Sequence, residues 1–336
     1  MTISARIRQV IVEQLVQELG LDGSYSFDGI NEIKGGWESR IFSGDLLSSG
    51  AKENYRLPLV LRYFETGEMD EKAHRDFALM KQLIELNIEV PEVYAVLESE
   101  QTEGPTILIM QRIEGQLAKD MVGNLILEQQ AEVHVAIHGL RRAQFSENLR
   151  DSFDLEASSR GMDAEMRQLK DQVTTNGLSD FKGLLEWLDV KRKQVKDTDL
   201  VFLHNDFHPE NVIVDDASDE LFVLDWGFAG IGDRRSDLAW TLHQLLFMLG
   251  AEARNAYLDF YEQAFGRTIE NLEFFEVLKL AQRLSTIGLW LNPDYEHPIK
   301  KIDAEAIRTS YRIHVERVYQ RVREMTGVEI RLFEEL

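Results

Sequence analysis

The sequence predicts an α+β protein of two lobes, a small β-rich N-terminal lobe and a large, mostly helical C-terminal lobe. Three observations predict it. From about Tyr25 to Arg112, short apolar and β-branched runs are separated by turn residues. After Gly115, apolar residues recur mostly at helical spacing. The chain has 336 residues, 44% of them hydrophobic, enough for about two domains on a prior of roughly 150 residues each. The joint falls in Met110–Gly115, giving residues 1–112 as the first lobe and 113–336 as the second.

The elements follow in order. Ile3, Ile7, Ile11, Leu15 and Leu19 recur every four residues, so residues 3–19 form a leading amphipathic helix that Gly20 ends. Strands are expected at Ile30–Ile33, Arg40–Ser43, Leu57–Tyr63, Val93–Leu97 and Thr106–Met110. One helix, Asp70–Leu86, interrupts them, with Ala73, Phe77, Met80 and Ile84 in register and Asn87 and Pro91 beyond its end. The second lobe reads as helices at Leu127–Phe145, Gly161–Val173, Asp180–Val195, Ser236–Leu249, Ala251–Phe265, Asn271–Leu291 and Ala304–Met325. Its exceptions are a short strand, Leu200–Leu203, and a hairpin, Val212–Val214 with Leu221–Leu224.

Composition excludes several classes. With 37 Lys and Arg against 59 Asp and Glu, the formal charge is −22, which repels nucleic acid and anionic membranes. The same charge is compatible with a cationic small substrate. There is no cysteine, hence no disulfide, zinc–thiolate site or thiol nucleophile. The first twenty residues lack a signal-like apolar run, and nothing approaches the ~20 apolar residues of a membrane span. The cytoplasm is the default expectation. Composition leaves the oligomeric state open.

The chemistry concentrates in His204-Asn205-Asp206-Phe207-His208-Pro209-Glu210-Asn211, followed after the hairpin by Asp225-Trp226-Gly227. A short apolar strand delivers Asp206 to a loop. Asn211 follows five residues later, and Asp225 closes the second hairpin strand. Phosphoryl transfer needs a carboxylate to orient or accept the proton of an attacking hydroxyl, and hard oxygen ligands for magnesium. Asp206 suits the first role; Asn211 and Asp225 suit the second. Zinc is a poorer fit to His204 and His208, because the segment follows a strand, Pro209 breaks a helix there, and no Glu follows the first His.

These residues resemble the aminoglycoside phosphotransferase and choline kinase superfamily, the kinase-like small-molecule phosphotransferases, over roughly Ile30 to Arg283. The resemblance implies a protein-kinase-like fold with a nucleotide-binding first lobe and a second lobe carrying the catalytic loop and the acceptor. It implies Asp206 as catalytic base, Asn211 and Asp225 as ligands of Mg2+ (two ions), and His204 and Asp237 as supports of the catalytic loop. In the first lobe, Lys34-Gly35-Gly36-Trp37-Glu38-Ser39-Arg40 is similar to the turn over the phosphates, with Gly35, Gly36 and Ser39 as nucleotide contacts. Leu59-Val60-Leu61-Arg62 is similar to the strand that grips the phosphates, here with Arg62 in place of Lys. Asp76 stands where the family's helix supplies a Glu partner, with Glu71 as a substitute. Ile107 to Gly115 resembles the interlobe hinge, where backbone groups of Gln111 and Ile113 are expected to be free for the adenine edge. ATP is the implied co-substrate, although some relatives use GTP. Asn205 departs from the usual Gly between His and Asp.

Asp237 follows Asp225 by only twelve positions, which leaves no room for an activation segment or peptide platform and disfavours a protein kinase. The expected partner is a small-molecule acceptor. The charge favours an amine-bearing one such as an aminoglycoside, choline or an amino alcohol; a neutral sugar-like or macrolide acceptor stays open. Helices Gly161–Val173 and Asn271–Leu291 are expected to wall it, with Trp290, Asp294, Tyr295 and Glu296 as a candidate aromatic and acidic lining. The alternative of another class, a catalytically silent nucleotide-binding module, predicts loss of Asp206, Asn211 or Asp225, and all three are present.

Overall fold

The structure is a computed structural model that describes residues 3–33, 39–48, 55–64, 70–121, 123–196, 198, 200–291 and 304–334. Gly35, Gly36, Asp294, Tyr295 and Glu296 lie outside the described residues.

In chain order the elements are α1 (Ala5–Glu18), β1 (Tyr25–Ile33), β2 (Arg40–Ser48), β3 (Arg56–Phe64), α2 (Asp70–Glu85), β4 (Val93–Leu97), α3 (Ser99–Thr102), β5 (Thr106–Gln111), β6 (Gly115–Leu117), α4 (Asn124–Gly139), α5 (Glu147–Arg160), α6 (Met162–Thr175), α7 (Lys182–Arg192), β7 (Val201–Leu203), β8 (Val212–Asp215), β9 (Leu221–Val223), β10 (Gly230–Gly232), α8 (Arg234–Met248), α9 (Ala251–Phe265), α10 (Leu272–Trp290), α11 (Ala304–Thr309), α12 (Arg312–Thr326) and α13 (Arg331–Glu334). They group into two compact units. One comprises Met1–Asp120 with Glu210–Gly227, and the other Met121–Pro209 with Phe228–Leu336.

The first unit is built on an antiparallel sheet of order β1-β2-β3-β5-β4. Ile11 and Leu15 of α1 are fully buried and share one core with Phe42, Leu59, Leu61, Tyr63, Ile107 and Ile109. Because strand side chains alternate, Leu59, Leu61 and Tyr63 point to that core and Arg62 points to the other face. There Asp76, Leu79, Met80 and Leu83 of α2 are buried. The hairpin β8–β9 belongs to this unit through β6, in a three-stranded sheet of order β6-β8-β9. The approach is close: a Cβ on Gly115 would stand 1.9 Å from the Val214 carbonyl oxygen, so only glycine fits.

The second unit is helical around one short ladder, β7 paired antiparallel with β10. Phe202 of β7 packs on Phe145 and Phe153 at ring separations of 4.5 and 5.5 Å. Helices α4 and α9 pack together, as do α8 and α10.

Three helix expectations differ from what is observed. The helix expected through Phe145 stops at Gly139, because Leu140 is extended and its carbonyl accepts the Phe202 N–H at 3.1 Å. Helix α5 was not anticipated. The single helix expected over Ala304–Met325 is two, α11 and α12, parted at Ser310 and Tyr311. No helix among the described residues is long and apolar enough to cross a membrane.

Candidate functional site

In the helical unit the loop after β7 is fixed from α8. Asp237, in the first turn of α8 and 1% exposed, accepts the backbone N–H of His204 at 2.9 Å and of Asn205 at 3.0 Å. It also faces His138 Nε2 at 3.2 Å and His134 Nε2 at 3.5 Å. The other ring nitrogens meet tyrosine hydroxyls, His134 Nδ1 with Tyr257 at 2.9 Å and His138 Nδ1 with Tyr261 at 2.6 Å. Burial works against the Asp237 charge, but the neighbouring His134 and His138 outweigh it and hold the carboxyl well below its usual range. Burial pushes His138 down to about 4, so it is a neutral donor at pH 7. One turn on, Thr241 donates to the Phe207 carbonyl at 2.8 Å.

Asn205 has φ +64°, the left-handed region that Gly and Asn tolerate best. That is the physical reason Asn can stand where the resemblance implies Gly. Its side chain donates to the Phe228 carbonyl at 2.9 Å. Asp206 follows, its N–H donated to His204 Nδ1 at 3.2 Å. The Asp206 carboxylate accepts Trp240 Nε1–H at 2.9 Å and lies 3.4 Å from His208 Nε2. Burial raises its pKa, yet His208 and Trp240 more than offset this and leave it lowered. Asp206 is therefore ionised at neutral pH, the state a proton acceptor needs.

Within the first unit, the hairpin register pairs Val212 with Val223, and the Leu224 N–H donates to the Asn211 carbonyl at 2.8 Å. Asn211 and Asp225 thus sit at the same end of one hairpin. Asp225 has φ +56°, an uncommon conformation for a non-glycine residue and one that clusters at functional sites. Arg62 reaches three groups: Asp225 Oδ1 at 3.4 Å, Asp76 Oδ2 at 3.6 Å and Ser39 Oγ at 3.5 Å. Arg75 lies 3.7 Å from Asp76 Oδ1 and donates to the Gly227 carbonyl at 3.3 Å. Asp76 is 1% exposed, and its oxygens have no hydrogen bond to a described residue. Burial raises its pKa against the pull of Arg62, Arg75 and Lys72. A Cβ on Gly227 would stand 3.1 Å from Lys72 Nζ, so a third cation joins this cluster.

The hinge differs from expectation at one point. The Gln111 N–H is not free but donates to the Glu92 carbonyl at 2.7 Å, and the Arg112 N–H donates to Pro58 at 3.0 Å. The strand register continues one residue beyond Met110 and consumes that donor. Ile113 is buried just past the strand.

Sequence spacing missed Lys72, Arg75, His134, His138 and Trp240. The His134–His138 pair, four apart on one helix face, was the legible signal; the others meet their partners through tertiary packing.

The phosphotransferase enzyme family matches residues 29–275. A curated relative, acyl-CoA dehydrogenase family member 10 from Mus musculus, is 26% identical over 194 residues, 54% of this chain. The match spans only 18% of that relative's length. Among solved structures, a candidate aminoglycoside phosphotransferase from Ralstonia eutropha JMP134 superposes with a TM-score of 0.63 at 16% identity, covering 97% of this chain and 98% of that one. The aminoglycoside phosphotransferase APH(4)-Ia, as a thermostable mutant with ADP and hygromycin B, gives 0.59 at 14% identity over 96% and 99%. Spectinomycin phosphotransferase APH(9)-Ia, with ADP and spectinomycin, gives 0.57 at 14% over 98% of each chain. At these identities the likeness is one of fold, which is the protein-kinase-like α+β fold. The chain belongs to the phosphotransferase enzyme family.

Proposed function

We propose that this enzyme transfers the γ-phosphoryl group of ATP to a hydroxyl of a small molecule, with Asp206 as the base. The observation that carries this is the state of Asp206: ionised, held by Trp240 and His208, on a loop whose backbone is tied to Asp237. Such a carboxylate orients the attacking hydroxyl and takes its proton. His204 and Asp237 fix the loop. In the other unit, Asn211 and Asp225 present an amide oxygen and a half-exposed carboxylate at one end of the hairpin. These are hard oxygen donors, and they fit magnesium. Bound there, the ion would neutralise charge on the nucleotide phosphates. Arg62, with Asp76 behind it, suits the phosphate-gripping role, since a guanidinium forks onto phosphate oxygens; Ser39 lies at hydrogen-bond reach of the same guanidinium. Relatives of this fold have been solved with ADP and with GDP, so GTP is the competing donor. The first unit, residues 1–120 with 210–227, then serves the nucleotide, and the second, residues 121–209 with 228–336, serves the acceptor.

The test is ATP consumption against a panel of alcohols, comparing the native enzyme with Asp206→Ala. Turnover in the variant should fall by at least roughly 10²-fold, the scale of losing a positioned base, with nucleotide still bound. Near-normal turnover in the variant would remove Asp206 from the role.

A further inference from the structure

The net charge of −22 argues for an amine-bearing acceptor. The side chains packed around the Asp206 loop in the helical unit argue otherwise. Trp240, which holds Asp206, is followed on the same stripe of α8 by His243, the two rings 5.3 Å apart. His243 is 1% exposed, and neither ring nitrogen has a hydrogen-bond partner among the described residues. Burial, with the charges of Arg283, Lys279 and His208, pushes it down to about 3. A neutral imidazole with both polar atoms buried and unmatched among the described residues is costly.

Arg283 of α10 packs on the ring of Phe247, which also neighbours His243 at 6.3 Å. Its guanidinium lies over the rings of Phe247 at 4.9 Å and Trp290 at 5.7 Å, and its buried Nε has no hydrogen bond among the described residues. Aromatic faces hold a guanidinium but do not neutralise it. The neighbouring charges are already matched: Lys279 pairs with Glu165 at 2.7 Å, and Glu165 also accepts from Ser236. The contrast within this unit is informative. Arg235 pairs with Asp233 and Arg254 with Glu276 through two nitrogens each. Among the described residues Arg283 has no carboxylate and His243 no hydrogen-bond partner.

We propose that the acceptor carries, besides the hydroxyl that faces Asp206, an anionic oxygen group, carboxylate or phosphate, that binds Arg283 and His243. This rests on the kinase reading above. A carboxylate or phosphate accepts from the guanidinium in the two-pronged manner arginine favours, and it takes the donor of the neutral imidazole. The reaction balances as an ordinary transfer: the acceptor oxygen bonds to the γ-phosphorus, the bond from phosphorus to ADP breaks, and Asp206 takes the hydroxyl proton.

The experiment uses the full-length enzyme with ATP and magnesium and matched alcohols. D-glycerate and 4-hydroxybutyrate form the carboxylate arm and glycerol 3-phosphate the phosphate arm. Glycerol and butane-1,4-diol are neutral, and 4-aminobutan-1-ol is cationic. At least one anionic arm should exceed its neutral counterpart in kcat/KM by roughly 10-fold or more. Arg283→Gln should lower that value by roughly 10- to 100-fold, the scale of a lost charged hydrogen bond, chiefly through KM, with Arg283→Lys between. Should Arg283→Gln fail to fold, competitive inhibition of the native enzyme by succinate, which has no hydroxyl, supports the same conclusion. A preference for the amino alcohol overturns the inference and leaves the kinase reading standing. Equal turnover of anionic acceptors by native enzyme and Arg283→Gln removes Arg283 from the site. Absence of ATP-dependent turnover of every alcohol overturns both.

Discussion

Asp237 accepts the backbone N–H of Asn205 at 3.0 Å, and Asn205 meets it with a left-handed backbone. The residue before the proposed base is therefore fixed from two sides, by the carboxylate and by its own φ of +64°.

Asn205→Gly should preserve the loop, because glycine adopts that φ freely. Asn205→Val should lose about 1–2 kcal/mol from the left-handed backbone, and more from the lost bond to the Phe228 carbonyl. Urea titrations of the two variants check this; equal midpoints would show that φ at this position carries no cost.

Acid should destabilise the protein well above the usual carboxylate range. His138 and His243 are held neutral by burial, down to about 4 and about 3, whereas an unfolded histidine titrates near ~6.5. Below ~6.5 the unfolded chain binds protons that the native state refuses. Stability is therefore full above that pH and falls as pH drops, by up to about 3 kcal/mol per histidine by pH 4. Denaturant midpoints between pH 7.5 and 4.5 measure the slope. His243→Phe should make it shallower.

Removing Arg62 leaves the Asp76 carboxylate buried without its nearest charge. Arg62→Ala should cost about 3 kcal/mol, the scale of breaking a buried pair. The double variant with Asp76→Ala should recover part of it, and a double-mutant cycle gives the coupling. Additive losses would show that the pair does not interact.

Asp225→Ala should abolish the magnesium dependence of nucleotide binding, measured by calorimetry with and without the ion. Unchanged dependence would assign the ion to other residues.

Much of the fold was legible because its signals are local. The four-residue apolar repeat of α1, the turn residues of the hairpin and the Asp206-to-Asn211 spacing all lie within short windows. Helix α5 was not, since among its described side chains only Leu149 and Phe153 are buried apolar residues, too sparse a stripe to register. The end of α4 was set by a distant partner, Phe202. The same holds at the candidate site. Asp206, Asn211 and Asp225 are named by spacing, while Trp240, His243 and Arg283 gather through the packing of α8 on α10, which no local pattern reveals. The Gln111 amide was misjudged because strand pairing, one residue longer than the apolar run, consumed it.

The chain's route between its two units bears on how the protein can be dissected. Its first unit is completed only by residues 210–227, which return as the hairpin on β6. A fragment ending at Asp120 would expose β6 with no partner for Gly115 to approach. The complementary fragment would carry the hairpin without its sheet. Neither half can be obtained by one cut. Splitting the enzyme for complementation, or shuffling one half between relatives, requires moving the hairpin as a third, separate module.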